Sequence, residues 1–234
     1  MKVYQKAMLS TTFALGVAVA GFIHTAQAVP MLKLISGSST VIISDEGSDD
    51  TNPGAPGTVG FDDAVGNFKI NATIGYTKPE LGSSAVPRMD LNSLNSTFLA
   101  TSGGTLEIYF TDTDFTAPGP DGLQASIGGT TSGKVTYKTY RDLGNSPFGT
   151  SELLTDTGMM TGPAFASSGG SILSEPIAPY SLTMYVKIEH DGKNQATSFN
   201  AELVPQPEPA TILFFGTGLL GLVGYAWRRQ KQVA

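Results

Sequence analysis

Four stretches of this chain alternate apolar and polar residues at a period of two, which commits them to strands with one buried face. Leu182, Met184, Val186 and Ile188 alternate with Thr183, Tyr185, Lys187 and Glu189. Leu106, Ile108 and Phe110 alternate with Glu107 and Tyr109, and Phe199, Ala201 and Leu203 with Asn200 and Glu202. Phe68, Ile70, Ala72, Ile74 and Tyr76 form the fourth apolar set, against Lys69, Asn71, Thr73 and Gly75. Shorter candidates lie at Leu32–Ile35, Thr40–Ser44, Gln124–Ile127 and Lys134–Tyr140. Turn signals separate them, among them Asn52-Pro53-Gly54, Gly128-Gly129 and Asp191-Gly192. Tyr180–His190 and Ala196–Val204 read as one hairpin closed by Asp191–Gln195. Helical periodicity is weak, and only Asp90–Leu99 and Ser151–Asp156 offer room for a short helix. The expectation is an all-β protein: a single antiparallel β-sandwich of about eight or nine strands.

That sandwich must hold itself together without covalent help from sulfur. The 234 residues include no cysteine, so disulfides, thiolate metal sites and cysteine nucleophiles are all excluded. About 175 residues between the two ends can supply a sufficient apolar core. Every one of the 20 acidic residues lies between Asp45 and Glu208, whereas five of the 14 basic residues lie in the end segments. The stretch Val29–Pro209 therefore has a net charge of −11, against −6 for the whole chain. Phosphate recognition needs clustered Lys and Arg, so nucleic acid is excluded as a partner.

The ends carry targeting information. Lys2 and Lys6 precede a mostly apolar run, Ala7–Ile23, and Ala26-Gln27-Ala28 places small residues where signal peptidase requires them. Residues 1–28 therefore read as a signal peptide, with cleavage governed by Ala26 and Ala28. At the other end, Pro205–Pro209 forms a stem whose prolines fix φ and withhold backbone donors. Ala210–Trp227 follows, 18 uncharged residues, which as a helix would extend about 27 Å and span a thin bilayer core. Arg228, Arg229 and Lys231 then act as a basic stop-transfer cluster, predicting a cytoplasmic C-terminus and an outward-facing domain. The organisation is signal peptide 1–28, acidic β-sandwich 29–204, and tail 205–234 with a transmembrane helix over 210–227. Gly216–Gly221 spells G-x-G-x-x-G, yet no βαβ unit can follow it, so it reads as helix packing and not as a dinucleotide site.

Pro207-Glu208-Pro209, the Gly-Leu-rich helix and the Arg-Arg end resemble the PEP-CTERM sorting signal of Gram-negative bacteria. The resemblance implies that Pro207, Glu208 and Pro209 are read by an exosortase-type processing enzyme. It further implies a protein delivered to the cell surface or extracellular matrix through the periplasm, with exopolysaccharide as partner. The stretch Asn67–Leu203, with Met89–Ser93 and Phe110–Phe115, is similar to domains found in front of such tails.

Catalytic signals are few. His24 leaves with the signal peptide, and His190, between Glu189 and Asp191, reads as a solvated turn-edge residue and not as the base of a triad. Asp45–Asn52 and Asp112-Thr113-Asp114 offer hard oxygen ligands, without the spacing of an EF-hand loop. The expectation is a non-catalytic domain without metal or cofactor that contacts matrix components. The rival is a polysaccharide hydrolase with paired carboxylates in a cleft lined by tyrosines.

Overall fold

The computed structural model describes residues 28–98, 102–116, 122–171 and 179–206. The predicted signal peptide through Gln27, the sorting motif, the predicted membrane helix and the basic cluster lie outside those residues. No helix among the described residues is long and apolar enough to cross a membrane.

Among the described residues, thirteen strands run in chain order: β1 (Met31–Ser36), β2 (Ser39–Ser44), β3 (Thr58–Phe61), β4 (Ala64–Val65), β5 (Phe68–Tyr76), β6 (Met89–Ser96), β7 (Gly104–Phe115), β8 (Leu123–Thr131), β9 (Lys134–Asp142), β10 (Glu152–Thr161), β11 (Ala164–Ser171), β12 (Tyr180–His190) and β13 (Ala196–Pro205). One sheet has the order β10-β9-β12-β7-β1-β2, the other β11-β8-β13-β6-β5-β3, with β4 also paired to β5. Every pairing is antiparallel. The all-β antiparallel sandwich expected from the alternation is therefore present, with more strands than the alternation alone revealed.

The inner faces share one apolar core. Leu32, Leu34, Leu106, Ile108, Phe110, Leu182, Met184, Val186 and Ile188 come from the first sheet, and Phe68, Ile70, Met89, Leu91, Phe199, Ala201 and Leu203 from the second. Tyr137 is wholly buried, and its hydroxyl donates across the sandwich from β9 to the carbonyl of Glu202 in β13 at 3.1 Å. That bond removes the cost of burying a phenol.

Several expectations are corrected. Tyr180–His190 and Ala196–Val204 do not pair as a hairpin: β12 lies between β7 and β9, and β13 between β6 and β8 in the other sheet. The connection is an arch. Seven links (β2–β3, β6–β7, β7–β8, β8–β9, β10–β11, β11–β12 and β12–β13) pass from one sheet to the other. Alternation along each strand fixes which side chains are buried but not which neighbour the strand takes. Where short helices were expected, Asp90–Ser96 and Glu152–Asp156 are strands. Ser and Asn divert the backbone from helix, and in β6 Met89 and Leu91 point into the core with Ser93 and Asn95 following in phase.

The fourth alternating set changes phase midway. A register shift between Ile70 and Ala72 turns Thr73 and Gly75 inward and leaves Ile74 and Tyr76 half exposed on the outer face. Thr73 closes its polar account by sharing a 2.8 Å hydrogen bond with Ser93. Gly75 lies against the ring of Phe110 from the opposite sheet, so close that a Cβ there would sit 2.6 Å from it.

Candidate functional site

On the outer face of the first sheet, directly paired residues align across six strands. One row reads Ile42, Lys33, Tyr109, Tyr185, Lys138, Asp156. The next row contains Ile35, Glu107, Lys187 and Thr136, and the row on the other side Thr111, Thr183 and Tyr140. The same alternation that buries Ile108, Phe110, Met184 and Val186 thus turns three tyrosines outward together. Their rings are only partly covered. Tyr109 and Tyr185 lie 4.7 Å apart between centroids, tilted by 46°.

The loop after β9 makes a wall at one end of this surface. Phe148 meets Tyr109 edge-on at 6.5 Å. The loop is pinned beneath by Phe148 N–H to Thr111 Oγ1 at 3.1 Å and Ser181 Oγ to the Ser146 carbonyl at 2.7 Å. Asp142 organises its turn by accepting from Ser146 N and Ser151 Oγ, and those bonds hold its carboxyl below the ordinary range. A groove of about 580 Å³ results, lined by Tyr109, Thr136, Lys138, Tyr140, Tyr185 and Lys187.

Charge in the groove is paired and balanced. Lys138 meets Asp156 at 2.9 Å, and Lys187 meets Glu189 at 2.9 Å. Lys33 differs: its ammonium sits 4.2 Å from the Tyr109 centroid and 4.4 Å from that of Phe148, the geometry of a cation held by two aromatic faces. Burial pushes its pKa down, with Glu107 opposing. The Tyr109 hydroxyl donates to Glu107 at 3.0 Å. Partial burial, reinforced by Glu107, raises the Tyr109 phenol and pushes that of Tyr185 up to about 12, so both remain hydrogen-bond donors. Half-covered aromatic faces beside fixed donors and acceptors make a surface suited to a hydroxyl-rich, flat-faced ligand.

The residues singled out in the sequence fall elsewhere. Ala26, Pro207, Glu208, Pro209, Arg228, Arg229 and Lys231 lie outside the described residues. Ala28 is the first described residue, half buried beside Lys78 and Asp114. His190 is not a solvated surface residue: it is 3 % exposed, packs 5.0 Å from the Phe68 ring, and shares its ring nitrogens with Thr197 at 2.9 Å and Thr97 at 3.4 Å. Burial lowers its pKa and keeps the ring neutral. Its burial follows from the passage of the chain between sheets from β12 to β13, which no local pattern announces.

In the acidic loop Asp45–Asn52, three carboxylates accept from nearby backbone N–H groups. Asp50 accepts from Glu46, Asn52 and Gly60, Glu46 from Gly54, and Asp45 from Gly57. No group of three or more metal-ligating side chains is assembled among the described residues. On the outer face of the second sheet Asp90 stands opposite Glu202, and burial together with that facing carboxylate raises Asp90 to about 6, eased by a hydrogen bond from Asn92.

Residues 207–230 match the model of the PEP-CTERM protein-sorting motif. The chain carries a PEP-CTERM sorting motif. It contains Pro207-Glu208-Pro209 and Arg228-Arg229, and it marks the chain as an exported, membrane-associated sorting substrate. No curated protein matches the chain. Among solved structures, a module complexed with β-1,4-galactotriose is 11% identical over 56% of this chain and 87% of its own, with a TM-score of 0.32. A mannan-recognising carbohydrate-binding module is 10% identical over 60% of this chain and 90% of its own, with a TM-score of 0.28. A promiscuous carbohydrate-binding module of the β-sandwich superfamily is 11% identical over 76% of this chain and 72% of its own, at 0.30. Likeness at that level does not extend to function.

Proposed function

We propose that this PEP-CTERM chain is an exported surface or matrix protein, anchored and then processed through its tail, whose sandwich binds exopolysaccharide without cleaving it. Signal peptidase would release it at Ala28, the predicted helix 210–227 would hold it in the membrane facing the periplasm, and an exosortase-type enzyme would act at Pro207–Pro209. One observation carries the binding role: Tyr109, Tyr185 and Tyr140 stand together, half covered, in a groove on an otherwise acidic domain. Pyranose rings present flat apolar faces that stack on such rings, while their hydroxyls take up fixed donors and acceptors.

The rival hydrolase reading needs paired carboxylates in a tyrosine-lined cleft, whereas the facing carboxylates Asp90 and Glu202 lie on the other sheet, away from the tyrosine groove. Affinity electrophoresis of the purified chain in gels containing the host's own exopolysaccharide tests the proposal. Retardation of the wild type is expected, and Tyr185→Ala should weaken it about 10- to 30-fold, since a central aromatic anchor is worth roughly 1.4–2 kcal/mol. Equal mobility with and without polysaccharide, or shortening of the polysaccharide by the protein, would overturn it.

A further inference from the structure

A second constellation lies where the two sheets meet, and the proposed function makes no use of it. Lys78, just beyond β5 of one sheet, reaches Asp112 of β7 in the other, with Nζ 2.7 Å from Oδ2. The Asp112 side chain is wholly buried and that of Lys78 is 13 % exposed. Three donors converge on the carboxylate: Thr77 Oγ1 to Oδ2 at 2.9 Å, the Thr113 N–H to Oδ1 at 2.8 Å, and Lys78 itself. Lys78 also donates to the Thr113 carbonyl at 2.5 Å and lies 4.3 Å from the Phe115 centroid. The amine thus meets one carboxyl oxygen, to which Thr77 also donates, while the Thr113 N–H donates to the other, and an aromatic ring lies beside the pair.

We propose that Lys78 and Asp112 condense into an intramolecular amide that ties the two sheets together. The pair begins as ammonium and carboxylate and passes a proton across the 2.7 Å contact, giving a neutral amine and a neutral acid. Low polarity favours that neutral form, and burial, the largest influence on Asp112, raises its pKa against the pull of Lys78. The Nζ lone pair attacks Cγ. Negative charge gathers on Oδ1, where the Thr113 N–H already points, in the manner of an oxyanion donor. A proton from nitrogen moves to Oδ2, the Cγ–Oδ2 bond breaks, and water departs while the Nζ–Cγ bond remains. Nothing is oxidised or reduced and no co-reactant is needed. Thr77 orients the departing oxygen. Lys78 borders a pocket of about 360 Å³ with Pro79, Gly82, Ser84 and Asp114, which gives the water an exit. Fixed juxtaposition supplies the rate that two free groups in water would lack. For an exported domain with no cysteine, such a bond takes the structural place of a disulfide.

Peptide mapping of the full chain with tandem fragmentation decides the matter. Trypsin leaves Lys78 in peptide 70–88, because Pro79 follows it, and Asp112 in peptide 89–134. Condensation lowers the mass of the intact chain by about 18 Da, one water, and yields a branched species, equal in mass to the uncut peptide 70–134, whose fragments join Lys78 to Asp112. Lys78→Arg keeps the positive charge and must abolish the branched species. Thr77→Val, which leaves both reacting groups in place, should slow its accumulation after refolding several-fold. Folded wild-type protein that yields only the two linear peptides overturns the proposal. So does a water loss that fragmentation places at Asp121-Gly122 or Asp191-Gly192, where an aspartyl residue can close on its own backbone.

Discussion

Gly75→Ala tests the phase change in β5 directly. Simple alternation puts Gly75 on the solvent face, where replacing glycine within a strand would be neutral or stabilising by roughly 0.5–1 kcal/mol. The register shift between Ile70 and Ala72 puts it inside instead. There an added Cβ meets Phe110 Cδ2 and Cε2 at 2.6 Å and Cζ at 2.8 Å. Ordinary carbon contacts begin near 3.5 Å, so the ring has to retreat by almost 1 Å. Phe110 is wholly buried among core side chains and cannot swing into solvent. Overpacking of this kind costs about 1–3 kcal/mol. For a domain of this size, 2 kcal/mol lowers Tm by roughly 4–8 °C. The assay is thermal and urea unfolding of wild type, Gly75→Ala, Phe110→Leu and the double variant. The two substitutions should couple, with the double variant recovering at least 0.5 kcal/mol relative to additivity. A Gly75→Ala protein as stable as wild type, or more so, would refute the inward placement and the bulge with it.

Three further outcomes follow from the buried polar groups. Asp90→Asn should stabilise the fold at neutral pH: the folded carboxyl titrates at about 6 against 3.8 unfolded, so its stabilising neutral form is lost as pH rises through 6. The advantage of the variant should vanish below about pH 4, as read by urea midpoints across pH. His190 behaves oppositely. Its folded pKa is lowered, so the unfolded chain binds its proton first, and the wild type should lose stability relative to His190→Gln as pH falls below 6.5. A wild-type-minus-variant difference that stays flat from pH 8 to 5 would contradict its burial. Tyr137→Phe removes only the hydroxyl that bonds the Glu202 carbonyl, and calorimetry should show a loss of about 1 kcal/mol.

The inner face of the sandwich was readable because its signal is local: Leu182 to Ile188 and Leu106 to Phe110 reveal their buried side two residues at a time. What is set by distant partners was not readable. β12 and β13 carry the marks of a hairpin, but each finds better company in a different sheet, and the arch between them buries His190. The bulge in β5 is a one-residue event that leaves no compositional trace beyond Thr73 and Gly75 sitting where apolar residues were expected. For the candidate site, the signal was present but divided. Tyr109 and Tyr185 occupy the outward phase of strands whose inward phase was already assigned. Only the β7–β12 register brings them side by side, and register is not visible in one strand alone.

The link between domain and tail constrains how the proposed anchoring can work. β13 stays paired with β8 as far as Pro205, and Gln206 N still donates to the Gly122 carbonyl at 3.0 Å. Three residues separate Gln206 from Ala210, where the predicted membrane helix begins. Whatever their conformation, the four intervening Cα steps span at most about 14 Å. An uncut chain would therefore hold the end of β13 close against the bilayer, with little freedom to tumble. Leu203 is the last buried residue of that strand, while Val204, Pro205 and Gln206 are half exposed. A processing enzyme of the proposed kind would gain reach by releasing Val204, Pro205 and Gln206, which lie beyond the last buried residue of the strand. The tyrosine groove lies on the outer face of the other sheet, so cutting the tail and occupying the groove make no demand on the same surface.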